Sequence, residues 1–316
     1  MALEILDLKD RKILYELDIN CRQTTSEIGR KVRLSKQTVQ YRINRLVREG
    51  YITRFATVID TYKLGFSKYK LFISLENANK ETISKIIDFL KQHNKTEWIG
   101  SCSGRWDVIA GYIVKDIYEF KDAVEELDER FSQFISLRET AISLGAPHWR
   151  KDYLLDNQEP YPVVFQGGKR GVLKIDKTDE EIIKILVNNA NMPMIEIAER
   201  LKLTPRIVDY RMKNLKRNNV ILMGRIFLNL NKLNWIYCKA ILKFKNLSDT
   251  RYNQFFQYCH YLKNLTYIIN AVGGWDIELD FEIQDFNSFH RIMLDIRDKF
   301  SDIIKNYDFV IVMNED

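Results

Sequence analysis

The sequence predicts an α+β chain built twice on one plan, a basic three-helix head followed by a βαββαβ body. Three observations carry this. First, the chain aligns with itself at an offset of 169 residues, with 15 identities over the 56 positions from Asp10 to Gly65 and no gap. The same offset pairs Gly104-Arg105-Trp106-Asp107 with Gly273-Gly274-Trp275-Asp276. Second, charge alternates. Residues 6–54 balance at +6 and 66–158 at −2, whereas 175–225 balance at +3 and 235–316 at −3. Third, apolar residues recur at helical spacing in each basic front and then switch to strand-like runs.

The organisation that follows is a first head at 1–60, a first body at 61–144, a linker at 145–174, a second head at 175–229 and a second body at 230–316. The linker reading rests on Pro147, Pro160, Pro162, Gly167, Gly168 and Gly171, with a short hairpin expected at 163–173. A hydrophobic fraction of 46% and a charged fraction of 29% suit a soluble globular chain of two or three domains. No apolar run reaches a membrane span of roughly 18 residues, so no membrane partner is expected. Glu4 and Asp7 beside Met1 do not read as a signal peptide. Cys21, Cys102, Cys238 and Cys259 lack CxxC spacing and read as reduced thiols of a cytoplasmic protein.

In the first head, Leu8, Ile13, Leu14 and Leu17 predict a helix over 8–18. Thr24-Thr25-Ser26-Glu27 reads as a capping box opening a short second helix that buries Ile28 and Val32. Ser35 caps a third helix that runs to about Glu49 and stops at Gly50. The second head repeats the grammar, with Thr204 as cap and Pro205 at the first helical position. Three helices with a tight turn before a basic third one read as a helix-turn-helix domain.

On the third helix Val39, Ile43 and Leu46 face the core. The opposite side holds Gln37, Tyr41, Asn44, Arg45 and Arg48, with Lys36 and Gln40 at its margins. Gln and Asn can bond adenine edges, Arg can bond guanine, and Lys or Arg can hold phosphates, so double-stranded DNA is the expected partner. The matched face of the second head holds Arg206, Asp209, Tyr210, Lys213, Asn214 and Arg217. Gln37 becomes Arg206, Gln40 becomes Asp209 and Asn44 becomes Lys213, so the two heads should not read the same bases.

In the first body, strands are expected at 51–60 and 68–75, a helix at 79–92, and a hairpin of 96–102 and 105–114 around Gly104. A second helix at 117–134 and a last strand at 136–144 complete it. The order β-α-β-β-α-β is the ferredoxin-like arrangement. The second body repeats it through Val310-Ile311-Val312-Met313.

The segment LSKQTVQYRINRLVREGYITRF, the Lys63-Leu64-Gly65 that follows it and the GRWD turn together resemble the Lrp/AsnC family of transcription regulators. The likeness covers about 10–144 and 179–313. It implies a helix-turn-helix domain joined by a strand to a ferredoxin-like effector and dimerisation domain. It also implies a G-x-x-D turn near an amino-acid effector pocket, here Gly104 and Asp107 with Gly273 and Asp276. Asn219 and Asn234 depart from the family glycines that Gly50 and Gly65 match.

The expected protein is a covalent pseudo-dimer that binds DNA to control transcription and answers to a small ligand such as an amino acid, with further homo-oligomers open. No cofactor and no catalytic residues are called for. His93, His148, His260 and His290 occupy unmatched repeat positions and do not read as metal or haem ligands. Two alternatives remain: an enzyme of the siroheme-decarboxylase kind, which resembles this family and also comes as paired modules, and a sensor or assembly protein without DNA binding.

Overall fold

The computed structural model describes residues 6–155, 163–168 and 171–315. The chain forms two compact units, and each takes parts of both repeats. In chain order the first repeat supplies α1 (Leu8–Ile19), α2 (Thr25–Val32), α3 (Lys36–Arg48), β1 (Ile52–Ile59), β2 (Ser67–Leu75), α4 (Lys80–Gln92), β3 (Thr96–Gly104), β4 (Val108–Val114), α5 (Ile117–Phe131) and β5 (Ile135–His148). A short β6 (Val164–Gly167) follows. The second repeat supplies α6 (Lys177–Asn188), α7 (Met194–Leu201), α8 (Pro205–Arg217), β7 (Ile221–Leu228), β8 (Ile236–Phe244), α9 (Asp249–His260), β9 (Leu265–Gly273), β10 (Ile277–Ile283), α10 (Phe286–Lys299) and β11 (Ile304–Glu315).

The helical unit contains both heads, joined by an antiparallel ribbon of β1 and β7 in which Ala56 faces Arg225. These two positions differ by the repeat offset, so the ribbon's pseudo-twofold passes between them. Each head closes its core with residues of the other repeat. Ile13, Leu14, Ile28, Val39 and Leu46 of α1–α3 pack with Ile226, Leu228, Leu233 and Trp235. Ile182, Leu186, Ile197, Val208 and Leu215 of α6–α8 pack with Ile59. Apolar burial therefore binds the repeats together as well as folding each head.

The expected caps are present. Thr24 and Glu27 form the capping box, Ser35 accepts from the Thr38 amide, and Thr204 accepts from that of Ile207 ahead of Pro205. Among the described α-helices only α7 opens without a side-chain cap, because Pro193 stands where the first repeat has Thr24. The two asparagine departures change nothing in the backbone. Asn219 (φ 54°) and Asn234 (φ 52°) take the left-handed conformation that Gly50 (φ 72°) and Gly65 (φ 83°) take. Asparagine is the non-glycine residue that tolerates it best.

In the second unit each body forms a four-stranded antiparallel sheet, β5-β2-β4-β3 in the first repeat and β11-β8-β10-β9 in the second. Pairing of β3 with β11 and of β9 with β5 closes the eight strands into a ring. Strand alternation sorts the side chains. Tyr69, Leu71 and Ile73 face α4 and α5, whereas Phe72 packs with Trp106, Ile241, Ala271 and Trp275 from both repeats.

Several boundaries differ from expectation; the strand expected from 105, for example, begins at Val108. The helix expected over 117–134 ends at Phe131, and Ser132–Phe134 tightens into a 3-10 turn. The strand expected at 136–144 extends to His148. Among the described residues of the hairpin expected at 163–173 only β6 is regular: it pairs with β5, Gly168 bonds back to the Leu144 carbonyl, and 171–176 takes no regular structure. Pro160 and Pro162 lie outside the described residues.

Candidate nucleic-acid interface

On α3, Val39 and Leu46 are fully buried, and Lys36, Gln37, Gln40, Tyr41, Asn44 and Arg48 are exposed. On α8, Val208, Met212 and Leu215 are buried, while Arg206, Tyr210, Lys213 and Arg217 are exposed and Asp209 is half-buried. Tyr41 and Tyr210 are 62% and 69% exposed at matched positions, so neither is held by the core. Each face carries an i,i+4 bond at the same repeat position. Gln40 Nε2 donates to Asn44 Oδ1 (2.9 Å), and Lys213 Nζ pairs with Asp209 (2.7 Å). Lys213 thereby offsets the acidic group placed on this face.

Two basic residues of α3 turn elsewhere. Arg45 is half-buried and donates to Asp10 on α1 at 2.5 Å, so it does not stand with the exposed face. Arg42 bridges Asp7 (2.7 Å) and Asp10 (2.8 Å), and Arg211 repeats this with Asp176 and Asp179. Hydrogen bonds from Arg211 hold the Asp176 carboxyl below its usual range. These arginines tie the third helix of each head to the first.

The lysine of each repeat's Lys-Leu pair does something that motif spacing does not reveal. Lys232 Nζ donates to the Glu49 carbonyl at the C-terminal end of α3 (2.5 Å). Lys63 Nζ donates to the Asn218 carbonyl at the end of α8 (2.7 Å). Each repeat thus caps the recognition helix of the other, where the helix dipole is negative and carbonyls lack intrahelical partners. Lys63→Met and Lys232→Met should each cost about 1 kcal/mol, read as a lower denaturant midpoint of the full chain. Unchanged midpoints would remove the capping role.

The Gly-x-x-Asp turns lie in the second unit. Gly104 and Gly273 have φ of 130° and 139°, and a Cβ on Gly273 would stand 2.5 Å from the Thr140 carbonyl oxygen. The Asp107 carboxylate accepts from the Leu75 amide (2.7 Å), and the Asp276 carboxylate accepts from that of Phe244 (2.7 Å) and pairs with Lys243. Both aspartates therefore hold the turn to the neighbouring strand end. A cleft of ≈ 1120 Å³ opens beside the turns and is lined by Arg105, Trp106, Gly274, Trp275, Arg297 and Tyr307 among others. Gly104, Asp107, Gly273 and Asp276 do not line it themselves. Arg105 spans it to Glu139 (2.9 Å) and Asp308 (3.2 Å).

All four cysteines are free, and burial pushes the Cys21, Cys102 and Cys238 thiols up to about 12. Among the described residues no three His, Cys, Asp or Glu side chains gather as a metal site. No helix among them is long and apolar enough to cross a membrane.

The winged helix-turn-helix DNA-binding family matches residues 6–53 and again 175–221. An uncharacterised HTH-type transcriptional regulator of Pyrococcus horikoshii is 31% identical over 144 residues, which is 46% of this chain and 89% of that protein. The HTH-type transcriptional regulator Ptr1 of Methanocaldococcus jannaschii is 34% identical over 115 residues, 36% of this chain and 75% of its own. Among solved structures the siroheme decarboxylase NirDL superposes on 97% of this chain and 91% of its own, with a TM-score of 0.64 at 12% identity, a likeness of fold. With its two DNA-binding heads, its two ferredoxin-like bodies and regulators as its relatives in sequence, the chain is a DNA-binding transcription regulator and belongs to the Lrp/AsnC family, whose unit it carries twice.

Proposed function

We propose that one chain reads two unlike half-sites on duplex DNA, one through α3 and one through α8, and that a small ligand in the cleft of the second unit modulates the outcome. The observation that carries this is the pairing of two exposed but differently composed helix faces across one β1–β7 ribbon. Lys36, Arg48, Lys213 and Arg217 supply phosphate contacts, and Arg206 is kept for a base edge. With about six phosphates engaged, log affinity should fall against log salt with a slope near −5. Fluorescence anisotropy with a labelled duplex across 50–200 mM salt reads it, and a flat response would exclude the proposal.

For the ligand, an amino acid is the class the family resemblance implies. Arg105, Trp106, Gly274 and Trp275 are its contacts in this reading, and Gly104, Asp107, Gly273 and Asp276 give the turns their shape. Arg105→Ala should abolish the thermal shift produced by the active amino acid of a panel while leaving ligand-free DNA affinity within about twofold. Asp107→Ala should instead lower stability by about 1–2 kcal/mol through the orphaned Leu75 amide. An Arg105→Ala chain with an unaltered ligand response would move the contacts elsewhere.

In this reading the chain works in the cytoplasm and acts by binding alone. Titration with an iron tetrapyrrole tests the decarboxylase alternative. A stoichiometric Soret band would favour it over the regulator.

A further inference from the structure

The contacts that hold the two repeats together fall into two kinds. Some are matched by the repeat offset and would serve any pairing of units. Lys63 and Lys232 cap the opposite recognition helix in both directions. The Cys21 amide bonds the Gly224 carbonyl as the Ala190 amide bonds that of Phe55. The glycines of both Gly-x-x-Asp turns likewise approach the backbone of the other repeat.

Others are one-sided. In the helical unit Asp18 and Arg225 form a fully buried pair, with Nη2 to Oδ1 at 2.8 Å and Nε to Oδ1 at 3.0 Å. The Lys151 amide also donates to Asp18, and Arg225 also donates to the Trp149 carbonyl. At the matched positions stand Val187 and Ala56, which carry no charge. Beside this pair a Cβ on Gly224 would lie 2.8 Å from Cys21 Sγ, and the matched residue is the bulky Phe55.

In the second unit the matched lysines Lys70 and Lys239 converge on one carboxylate. Glu278 Oε2 accepts from Lys70 at 2.5 Å and from Lys239 at 2.8 Å, while Oε1 accepts from Trp275 Nε1. Asp280 takes Lys239 (2.5 Å) and the Tyr237 hydroxyl (2.6 Å). At the positions matching Glu278 and Asp280 the first repeat has Ile109 and Gly111.

We infer that the pairing faces of each repeat accept the other repeat and reject a second copy of themselves. A first repeat against a first repeat would bury two copies of Asp18 opposite alanine, and two of Lys70 among Ile109 and Gly111. It would also set Phe55 where Cys21 needs glycine. A second repeat against a second would bury two copies of Arg225 opposite Val187 and crowd four carboxylates around two lysines. Charges buried without partners are among the most unfavourable arrangements a protein can adopt, so the discrimination comes from repulsion as much as attraction. The partner that fits is thus an unlike unit, whether supplied by the same chain or by a second chain exchanging repeats.

The test uses the ribbon's symmetry. Because position 56 faces position 225, like-with-like pairing of two chains would bring residue 56 against its own copy. The full chain bearing Ala56→Cys is refolded by dilution, oxidised mildly and mapped by peptide mass spectrometry. The 56–56 disulfide should be near background. With Asp18→Val, Arg225→Ala, Glu278→Ile and Asp280→Gly added, each the residue found at the matched position, its yield should rise about tenfold or more. If that chain is recovered only as aggregate, the two-residue background Asp18→Val/Arg225→Ala carries the same comparison. Equal yields with and without the substitutions, or an abundant 56–56 bond in the Ala56→Cys chain alone, would overturn the inference. The assay contains no DNA or effector, so its failure leaves the half-site reading untouched.

Discussion

Glu278→Ala should cost the second unit about 3–5 kcal/mol, the cost typical of breaking a buried ion pair by removing one partner. The carboxylate is 1% exposed and serves two ammonium groups and an indole N–H, so its loss strands Lys70 and the Trp275 indole and leaves Lys239 to Asp280 alone. Burial by itself would raise the Glu278 pKa. Lys239 and Lys70 outweigh it and bring the group from 4.5 down to about 2. The folded value lies below the unfolded one. The stabilisation is therefore complete above about pH 4.5 and is lost as pH falls from there towards 2. Denaturant unfolding of the full chain at pH 7, 4 and 3 should show the wild type weakening across that window and Glu278→Gln weakening less steeply. Equal pH profiles for the two chains would show that this carboxylate is not what the lysines hold.

What could be read ahead of the structure was local. Caps, helix faces and strand runs each depend on residues a few positions apart, and Thr24 with Glu27, Ser35 and Thr204 sit where their chemistry placed them. The repeat offset added the architecture, since two copies of one pattern constrain each other. Pairings across the chain were not legible. Helical geometry assigned Arg45 to the exposed face, but Asp10, 35 residues away, draws it against α1. Lys63 stood out only as part of a motif, and its role depends on a carbonyl 155 residues further on. The buried charges left no trace in periodicity, because Lys239, Glu278 and Asp280 alternate along their strands as solvent-facing residues would. Only closure of the ring turns that face inward.

One chain with two reading heads of different chemistry should bind a site without internal symmetry, since operator symmetry mirrors protein symmetry. On α3 the Gln40–Asn44 bond leaves Gln40 Oε1 and Asn44 Nδ2 to meet the donor and acceptor of an adenine edge. On α8 the Asp209–Lys213 pair leaves a carboxylate oxygen suited to cytosine N4, and Arg206 is suited to guanine. The minimal site is therefore two unlike half-sites about one helical turn or a multiple apart. The first head should dominate, as residues 6–54 carry a balance of +6 against +3 for 175–225. Gln40→Ala should lose about 1–3 kcal/mol of discrimination at one half-site only, and Arg206→Ala should do the same at the other. The measurement is competition binding with single-base variants of a minimal duplex, at a stoichiometry fixed by sedimentation. Two chains assembled on DNA could restore overall symmetry, and the stoichiometry separates that case. A perfect palindrome bound by one chain, with both substitutions acting equally on each half, would mean that the divergence at 37/206, 40/209 and 44/213 does not reach the bases.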